Sequence, residues 1–250
     1  MLRRMGAAMA AALLAMAAGG AGPVPDVTAV VPSGPTIPER LLRISVTFAA
    51  PPKAEILSSI ALVRQDGGVI EGALLDQELW SPDRRTLTLL LDPGRVKTGL
   101  IAHDAAGGIL HAGKRVALRV AGRPVRRWTI TTSGCVVPDI ATWRIGLPRA
   151  GTERPLTLAF PGPIDAQSRD LIAVVDGVGH RVEGSARLAA GERLWAFVPT
   201  APWTPGRLRL VVHPRLETPC GDEIGEAFEH AAGKELGTRR TAPSRWFSIQ

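Results

Sequence analysis

The sequence predicts an all-β protein that consists of two tandem antiparallel β-sandwiches behind an N-terminal export signal. Apolar and polar residues alternate with period two through most of the chain, which is typical of half-buried strands. Turn-forming Gly, Pro and Asp residues separate these runs at intervals of about 8–12 residues, as in sandwich folds. Finally, two stretches 112 residues apart, Ile60–Gly72 and Ile172–Gly184, nearly repeat each other.

The repeat extends without a gap beyond these two stretches. At the same offset, three earlier residues match three later ones: Phe48 with Phe160, Pro51 with Pro163, and Ala54 with Ala166. Residues 48–72 therefore share nine identities with their counterparts. A repeat of this length indicates one domain built twice.

The N-terminus carries the pattern of a secretory signal. Arg3 and Arg4 precede an apolar run from Met5 to Ala18, which ends in small residues. We assign residues 1–21 to a signal peptide, and the alternative is a permanent N-terminal anchor. Residues 22–37 are rich in proline and predict an extended leader. No later run approaches the roughly 18 apolar residues of a membrane span, so we expect no transmembrane segment in the mature chain.

The alternating runs predict a first sandwich over residues 38–132, a linker at 133–138 and a second sandwich over 139–250. In the first, Ile44, Val46 and Phe48 face the core while the residues between them face solvent. The tryptophans divide into two groups. Inward-facing strand positions are predicted for Trp128, Trp195 and Trp246, and exposed positions suited to stacking on sugar for Trp80, Trp143 and Trp203.

Charge and composition argue against a nucleic-acid partner. The net charge is +7, and only four of the 30 basic residues are lysines. The arginines are scattered along the chain and tyrosine is absent, whereas nucleic-acid sites need clustered cations with stacking aromatic residues. An envelope protein or an anionic envelope polymer is the partner that this charge allows.

The chain has two cysteines, Cys135 and Cys220. In an exported protein an even pair predicts a disulfide, and the alternative is two buried thiols. The bridge would close a loop of about 85 residues and stabilise the fold by roughly 4 kcal/mol through loop entropy.

Three segments resemble a known family. Val46–Pro51 and Leu158–Pro163 open the two repeats with similar Phe-containing stretches, and Phe197–Val212 reads as a strand ending in Pro, a short loop and a Gly-led strand. In these features the chain is similar to the bacterial immunoglobulin-like domains of the surface-layer-protein type. The segment Leu79–Lys97 further resembles a motif of two-domain secreted bacterial proteins. The resemblance implies tandem Ig-like β-sandwiches, export to the periplasm or the outside, and a spacer or adhesive role without a known activity.

Catalytic and metal-binding patterns are weak in the sequence. The five histidines are dispersed, and neither a Gly-x-Ser-x-Gly stretch nor a His-x-x-x-His or Cys-x-x-Cys pair occurs. We therefore expect no enzyme activity, no cofactor and no metal site. The alternative is an exported carbohydrate-active or metal-dependent enzyme, or a metal carrier, on an Ig-like scaffold.

The loop that begins at Asp92 is the predicted binding region. Pro93 and Gly94 fix a tight turn that would present Arg95 and Lys97 together to a carboxylate or phosphate. His103 and His111 belong to the insertion that follows. In the alternative interpretation, Asp92 caps the turn and pairs with Arg95. The prediction as a whole is a secreted or periplasmic, non-enzymatic binding or spacer protein of the bacterial envelope, whose oligomeric state the sequence leaves open.

Overall fold

The computed structural model of the chain describes residues 24–96, 107–132, 135–224 and 242–250, and these are almost entirely strands and turns. The strands form four sheets that pack as two sandwiches, one in each half of the chain. Each sandwich closes over its own cluster of buried apolar side chains. The predicted fold class of two tandem Ig-like β-sandwiches is confirmed.

The first sandwich contains two four-stranded sheets. One has the order β1-β3-β6-β5, formed by Val27–Val31, Arg43–Phe48, Thr86–Leu90 and Leu79–Trp80. The other has the order β2-β8-β7-β4, formed by Thr36–Pro38, Arg123–Thr131, Arg115–Val120 and Ile60–Arg64. A 3-10 turn at Leu57–Ser59 leads into β4, and a four-residue helix, α1 at Pro93–Val96, follows β6.

The second sandwich contains a four-stranded and a three-stranded sheet. The first has the order β9-β10-β13-β12, formed by Arg144–Gly146, Leu156–Ala159, Leu194–Pro199 and Gly184–Ala189. The other has the order β11-β14-β15, formed by Ile172–Val175, Gly206–Val212 and Ser244–Ile249. Two 3-10 helices, Ile140–Thr142 and Ala166–Leu171, precede β9 and β11.

The order of strands is the same in both sandwiches, apart from the additional β2. In each, the first, second, fifth and fourth strands form one sheet, and the third, sixth and seventh form the other. This arrangement is that of immunoglobulin constant-type domains. The 112-residue offset of the sequence repeat also places the start of β4 on the start of β11, at Ile60 and Ile172. That the chain arose by duplication remains a proposal.

Residues assigned to the Pro-rich leader belong in part to the first sandwich. Strand β1 pairs antiparallel with β3, whereas β2 crosses to the other sheet and pairs parallel with β8. The prolines in and around these strands led to the prediction of an extended leader, because proline within a short run argues against a strand. Both strands lie at sheet edges, where a proline costs no interior ladder hydrogen bond.

The tryptophans depart from the predicted pattern. Trp128 and Trp195 are buried as predicted. Trp143 and Trp203, predicted to be exposed, are also buried, while Trp246, predicted to be in the core, is 43 % exposed. In β15 the residues that face the core are Phe247 and Ile249, so the prediction for Trp246 was out of phase by one residue. Such a shift reverses the face that a strand residue occupies.

The predicted signal peptide, residues 1–21, lies outside the described residues. The first sandwich begins before residue 38, since β1 and β2 belong to its sheets, while its end at 132 and the range 139–250 stay predictions. Within the described part of the chain, no helix has both the length and the apolar character needed to cross a bilayer.

Candidate functional site

A groove of about 780 Å³ lies at one end of the first sandwich. Its walls come from the hairpin after β4, the segment before β7, and the start of β7 itself, and apolar side chains lie beneath them: Ile70, Ile109, Val116 and Ile130. A volume in this range is typical of small-molecule and ligand pockets. The groove adjoins the predicted loop region at residues 92–112.

The polar lining of this groove is strongly cationic. Four cationic side chains line it, together with His111: Arg64, Arg95, Lys114 and Arg115. A shallower neighbouring groove of about 440 Å³ shares Arg64 and Arg115 and adds Arg127. Among the described lining residues of both grooves, Asp66 is the single carboxylate. We call the joined surface the cationic groove.

Arg64 serves the local fold. The Arg64 guanidinium donates to the carbonyl of Val69 at 3.0 Å and lies 3.5 Å from the Asp66 carboxylate. The backbone N–H of Gly68 donates to Asp66 and, with Arg64 nearby, holds the pKa of Asp66 below its ordinary value. Together these contacts fix the hairpin that forms one wall of the groove.

Arg95 holds the other wall in place. It donates to the carbonyl of Glu71 at 2.6 Å and to the carbonyl of Gly107 at 3.1 Å. Asp92 accepts a hydrogen bond from the Gly94 N–H at 2.8 Å and so caps the turn, as the alternative interpretation anticipated. The Arg95 guanidinium thus links the backbone at Glu71 to the backbone at Gly107.

The remaining cations are available to a ligand. Lys114, Arg115 and Arg127 are exposed, and none makes an ion pair with a carboxylate of residues 24–96, 107–132, 135–224 or 242–250. Strand β8 pairs with β7 so that Arg115 opposes Thr129 and Arg127 opposes Ala117. Both arginines therefore point outward from the same face of the sheet.

The structure brings together only part of the predicted site. Arg95 and His111 both line the cationic groove, while Asp92 supports it from the turn. Lys97 and His103 lie outside the described residues. Sequence analysis did not single out Lys114, Arg115 or Arg127 as candidate binding residues. The signal that was present is the alternation of Arg115 with the buried Val116.

A second groove, of about 350 Å³, lies between the two sandwiches. It is lined largely by proline, glycine and other small residues, and its charged side chains are already bonded. Glu192, 4 % exposed, accepts the Ser33 N–H at 3.1 and 3.2 Å, and Arg193 donates to the carbonyl of Pro161 at 2.6 Å. Gly191, at φ +65°, packs directly against Gly34, where a Cβ would lie 3.1 Å from the Gly34 Cα. The residues that line this groove are therefore occupied in contacts between the two sandwiches, and we call this region the junction.

An ionic cluster joins the two sandwiches at one side of this junction. Arg43 of β3 lies 3.5 Å from Asp165 and 2.7 Å from Glu217, both in the second sandwich. Burial raises the pKa of Asp165 above its ordinary value, although Arg43 and the Gln167 N–H oppose the shift. Burial also raises the pKa of Glu217, against the same arginine. Arg40 and Asp222 form a further pair at 3.4 Å.

The disulfide predicted between Cys135 and Cys220 is present. Cys220 lies in the loop that supplies Glu217 and Asp222 to the ionic cluster, and the N–H of Leu42 donates to the carbonyl of Pro219 in the same loop at 3.0 Å. Asp222 and the two sulfurs are close enough to share a metal ion, but sulfurs bonded to each other are not thiolate ligands. The bridge therefore fastens the junction.

No protein-family model matches the sequence, and no curated protein sequence matches it. Solved structures are similar at a coarse level. A chimeric titin Z1Z2 carrying a decorin peptide is 8 % identical with a TM-score of 0.30, over 86 % of this chain and 91 % of that one. The L,D-transpeptidase 1 of Mycobacterium tuberculosis is 14 % identical with a TM-score of 0.30, over 72 % and 84 %. Domains 5–6 of the S-layer protein SbsC are 12 % identical with a TM-score of 0.25, over 76 % and 92 %. Similarity of this degree says nothing of function.

Proposed function

We propose that this protein is an exported, non-enzymatic binding module of the bacterial envelope, and that the cationic groove holds an anionic polymer of that envelope. The observation that carries the proposal is the set of outward cations, Lys114, Arg115 and Arg127, without carboxylate partners among the described residues. The disulfide supports export, because such bonds persist in oxidising compartments. The signal pattern at residues 1–21 supports the same location.

The groove suits an extended anion better than a small neutral ligand. Arginine guanidinium groups bind carboxylates and phosphates through paired, charge-assisted hydrogen bonds. Arg115 and Arg127 lie on adjacent strands, which are separated by about 4.8 Å. Successive anionic groups along a polymer can therefore meet successive cations across the outward face of the sheet.

The enzyme alternative would need a reactive pair open to a substrate. Asp165 and Glu217 approach one another across Arg43 and have raised pKa values, which is the feature that most favours it. However, Asp165 is 4 % exposed, and its carboxylate also accepts the Gln167 N–H. Both acids face an arginine in a closed junction, so we assign them to the ionic cluster that joins the sandwiches.

The test compares the mature chain with a groove variant, Arg115→Gln with Arg127→Gln. Binding of polygalacturonate and of inorganic polyphosphate is measured by calorimetry at low and moderate salt. Loss of two charge-assisted contacts should weaken binding of the preferred polymer by at least about tenfold. The affinity should also fall as salt rises. The polymer that binds more tightly identifies the anionic group, carboxylate or phosphate.

A matched control removes the same charge elsewhere. Arg144→Gln with Arg187→Gln changes two exposed arginines on strands of the second sandwich, β9 and β12. This control should bind as the unchanged chain does. Equal affinity of the groove variant and the control, or no binding of either polymer by the unchanged chain, would refute the proposed function.

A further inference from the structure

The outward face of the second sandwich carries an arginine–tryptophan cluster. Trp246 of β15 is 43 % exposed, and the guanidinium carbons of Arg207 and Arg209 in β14 lie 4.3 and 5.3 Å from its ring centroid. Arg209 and Trp246 are direct partners in the β14–β15 register. We call these three residues the Trp246 cluster. All of them project from the sheet on the side opposite to the core.

The contacts within this cluster restrain the two guanidinium groups. An arginine over an indole face is held by cation–π attraction and by stacking, so it samples fewer rotamers than a free side chain. Neither Arg207 nor Arg209 makes an ion pair with a carboxylate in the described ranges 24–96, 107–132, 135–224 and 242–250. The cluster thus presents oriented donors that the described fold does not use.

The same part of the fold carries the cations of the first sandwich. Strand β14 is the sixth strand of its sandwich, as β7 is of the other, and the two buried alternations Val116-Leu118-Val120 and Leu208-Leu210-Val212 correspond. Arg207 therefore occupies the position of Arg115, one residue before the first buried apolar side chain. The cross-strand pair of Arg209 and Trp246 lies at the position that Ala117 and Arg127 occupy in the first sandwich.

We propose that the Trp246 cluster is a second anion-binding site, and that its ligand is a linear polysaccharide carrying carboxylates. Arg207 and Arg209 bind the carboxylate oxygens, and Trp246 holds both guanidinium groups in place before the ligand arrives. Preorganisation of this kind increases affinity because less side-chain freedom is lost on binding. The inference rests on the proposed function for the polymer class, and each site binds independently of the other.

The experiment measures binding of trigalacturonate, which is short enough to occupy one site, by calorimetry. The unchanged chain should bind about two trimers, and the variant Arg207→Gln with Arg209→Gln should bind about one, as expected for separate sites. The groove variant Arg115→Gln with Arg127→Gln should also bind about one, at the other site. Trp246→Val removes no charge and should weaken the second site several-fold, whereas Trp246→Phe should restore most of the affinity.

The outcomes separate the two proposals. A Trp246-cluster variant that binds trigalacturonate with unchanged stoichiometry and affinity overturns this inference, whatever the groove variant does. If the groove variant binds as the unchanged chain does and the cluster variant has lost a site, the proposed function is overturned and this inference is supported. Equal affinity of the cluster for a single-stranded oligonucleotide overturns the assignment to a polysaccharide. Near-ultraviolet circular dichroism of each variant checks that the sandwich remains folded.

Discussion

Removal of Arg43 should destabilise the protein strongly, because this side chain neutralises two carboxylates at the junction. The side chain of Asp165 is 5 % exposed and that of Glu217 is 22 % exposed. Arg43→Ala would leave Asp165 buried without its counter-charge, and breaking a buried pair in this way costs about 3–5 kcal/mol. Part of this cost disappears in acid, since Asp165 becomes neutral when it binds a proton.

Urea unfolding, followed by tryptophan fluorescence at pH 7 and at pH 4.5, measures the effect. We expect Arg43→Ala to lower the free energy of unfolding by about 3 kcal/mol at pH 7, and by clearly less at pH 4.5. The triple replacement Arg43→Met with Asp165→Asn and Glu217→Gln removes the arginine and both of its carboxylate partners, and should recover most of the loss.

The control is Arg169→Ala, which breaks an exposed pair with Asp170 whose side chains are 48 % and 65 % accessible. Such surface pairs contribute about 0–1 kcal/mol. If Arg43→Ala costs no more than this control at pH 7, the ionic cluster does not stabilise the junction and the reasoning fails.

Three further predictions follow from burial, protonation and the disulfide. Trp195→Ala should cost about 3–5 kcal/mol because the side chain is fully buried, whereas Trp246→Ala should cost about 1 kcal/mol or less; both are read from urea midpoints. Replacing Cys135 and Cys220 with serine should cost about 4 kcal/mol by loop entropy, and mass spectrometry before and after reduction should show no free thiol in the oxidised protein. Folding raises the pKa of Asp165 above its ordinary value of 3.8. The stability that this carboxyl contributes is therefore greatest below pH 3.8 and is lost as the pH rises through the pKa of the folded state. Asp165→Asn should consequently flatten the dependence of the unfolding free energy on pH.

Period-two alternation was sufficient to predict most strands, since each sheet has one face in a core. In β3 and β7 the alternate residues Ile44, Val46, Leu118 and Val120 are all buried, as the pattern requires. The pattern was insufficient in β15, where Trp246 and Phe247 are adjacent and both are apolar. Nothing in the sequence says which of two neighbouring apolar residues faces inward, because the answer depends on the register with β14.

The ionic contacts at the junction could not be predicted from the sequence, for a different reason. Arg43 meets Asp165 and Glu217 only because the two sandwiches pack against each other, and no local pattern encodes a contact between residues more than a hundred positions apart. Two residues that line the cationic groove were named from the sequence: Arg95 in the turn that begins at Asp92, and His111 in the insertion that follows it. Lys114, Arg115 and Arg127 were missed because an outward strand arginine has the same pattern whether it binds a ligand or only water.

The position of the disulfide has a mechanical consequence. Cys135 follows the last strand of the first sandwich, and Cys220 precedes the last strand of the second, at a sequence separation of 85. Tension applied to the two ends of the chain passes through the sulfur bridge and bypasses that segment. In a force–extension experiment, the oxidised protein should release about 290 Å less contour length than the reduced protein when both sandwiches unravel.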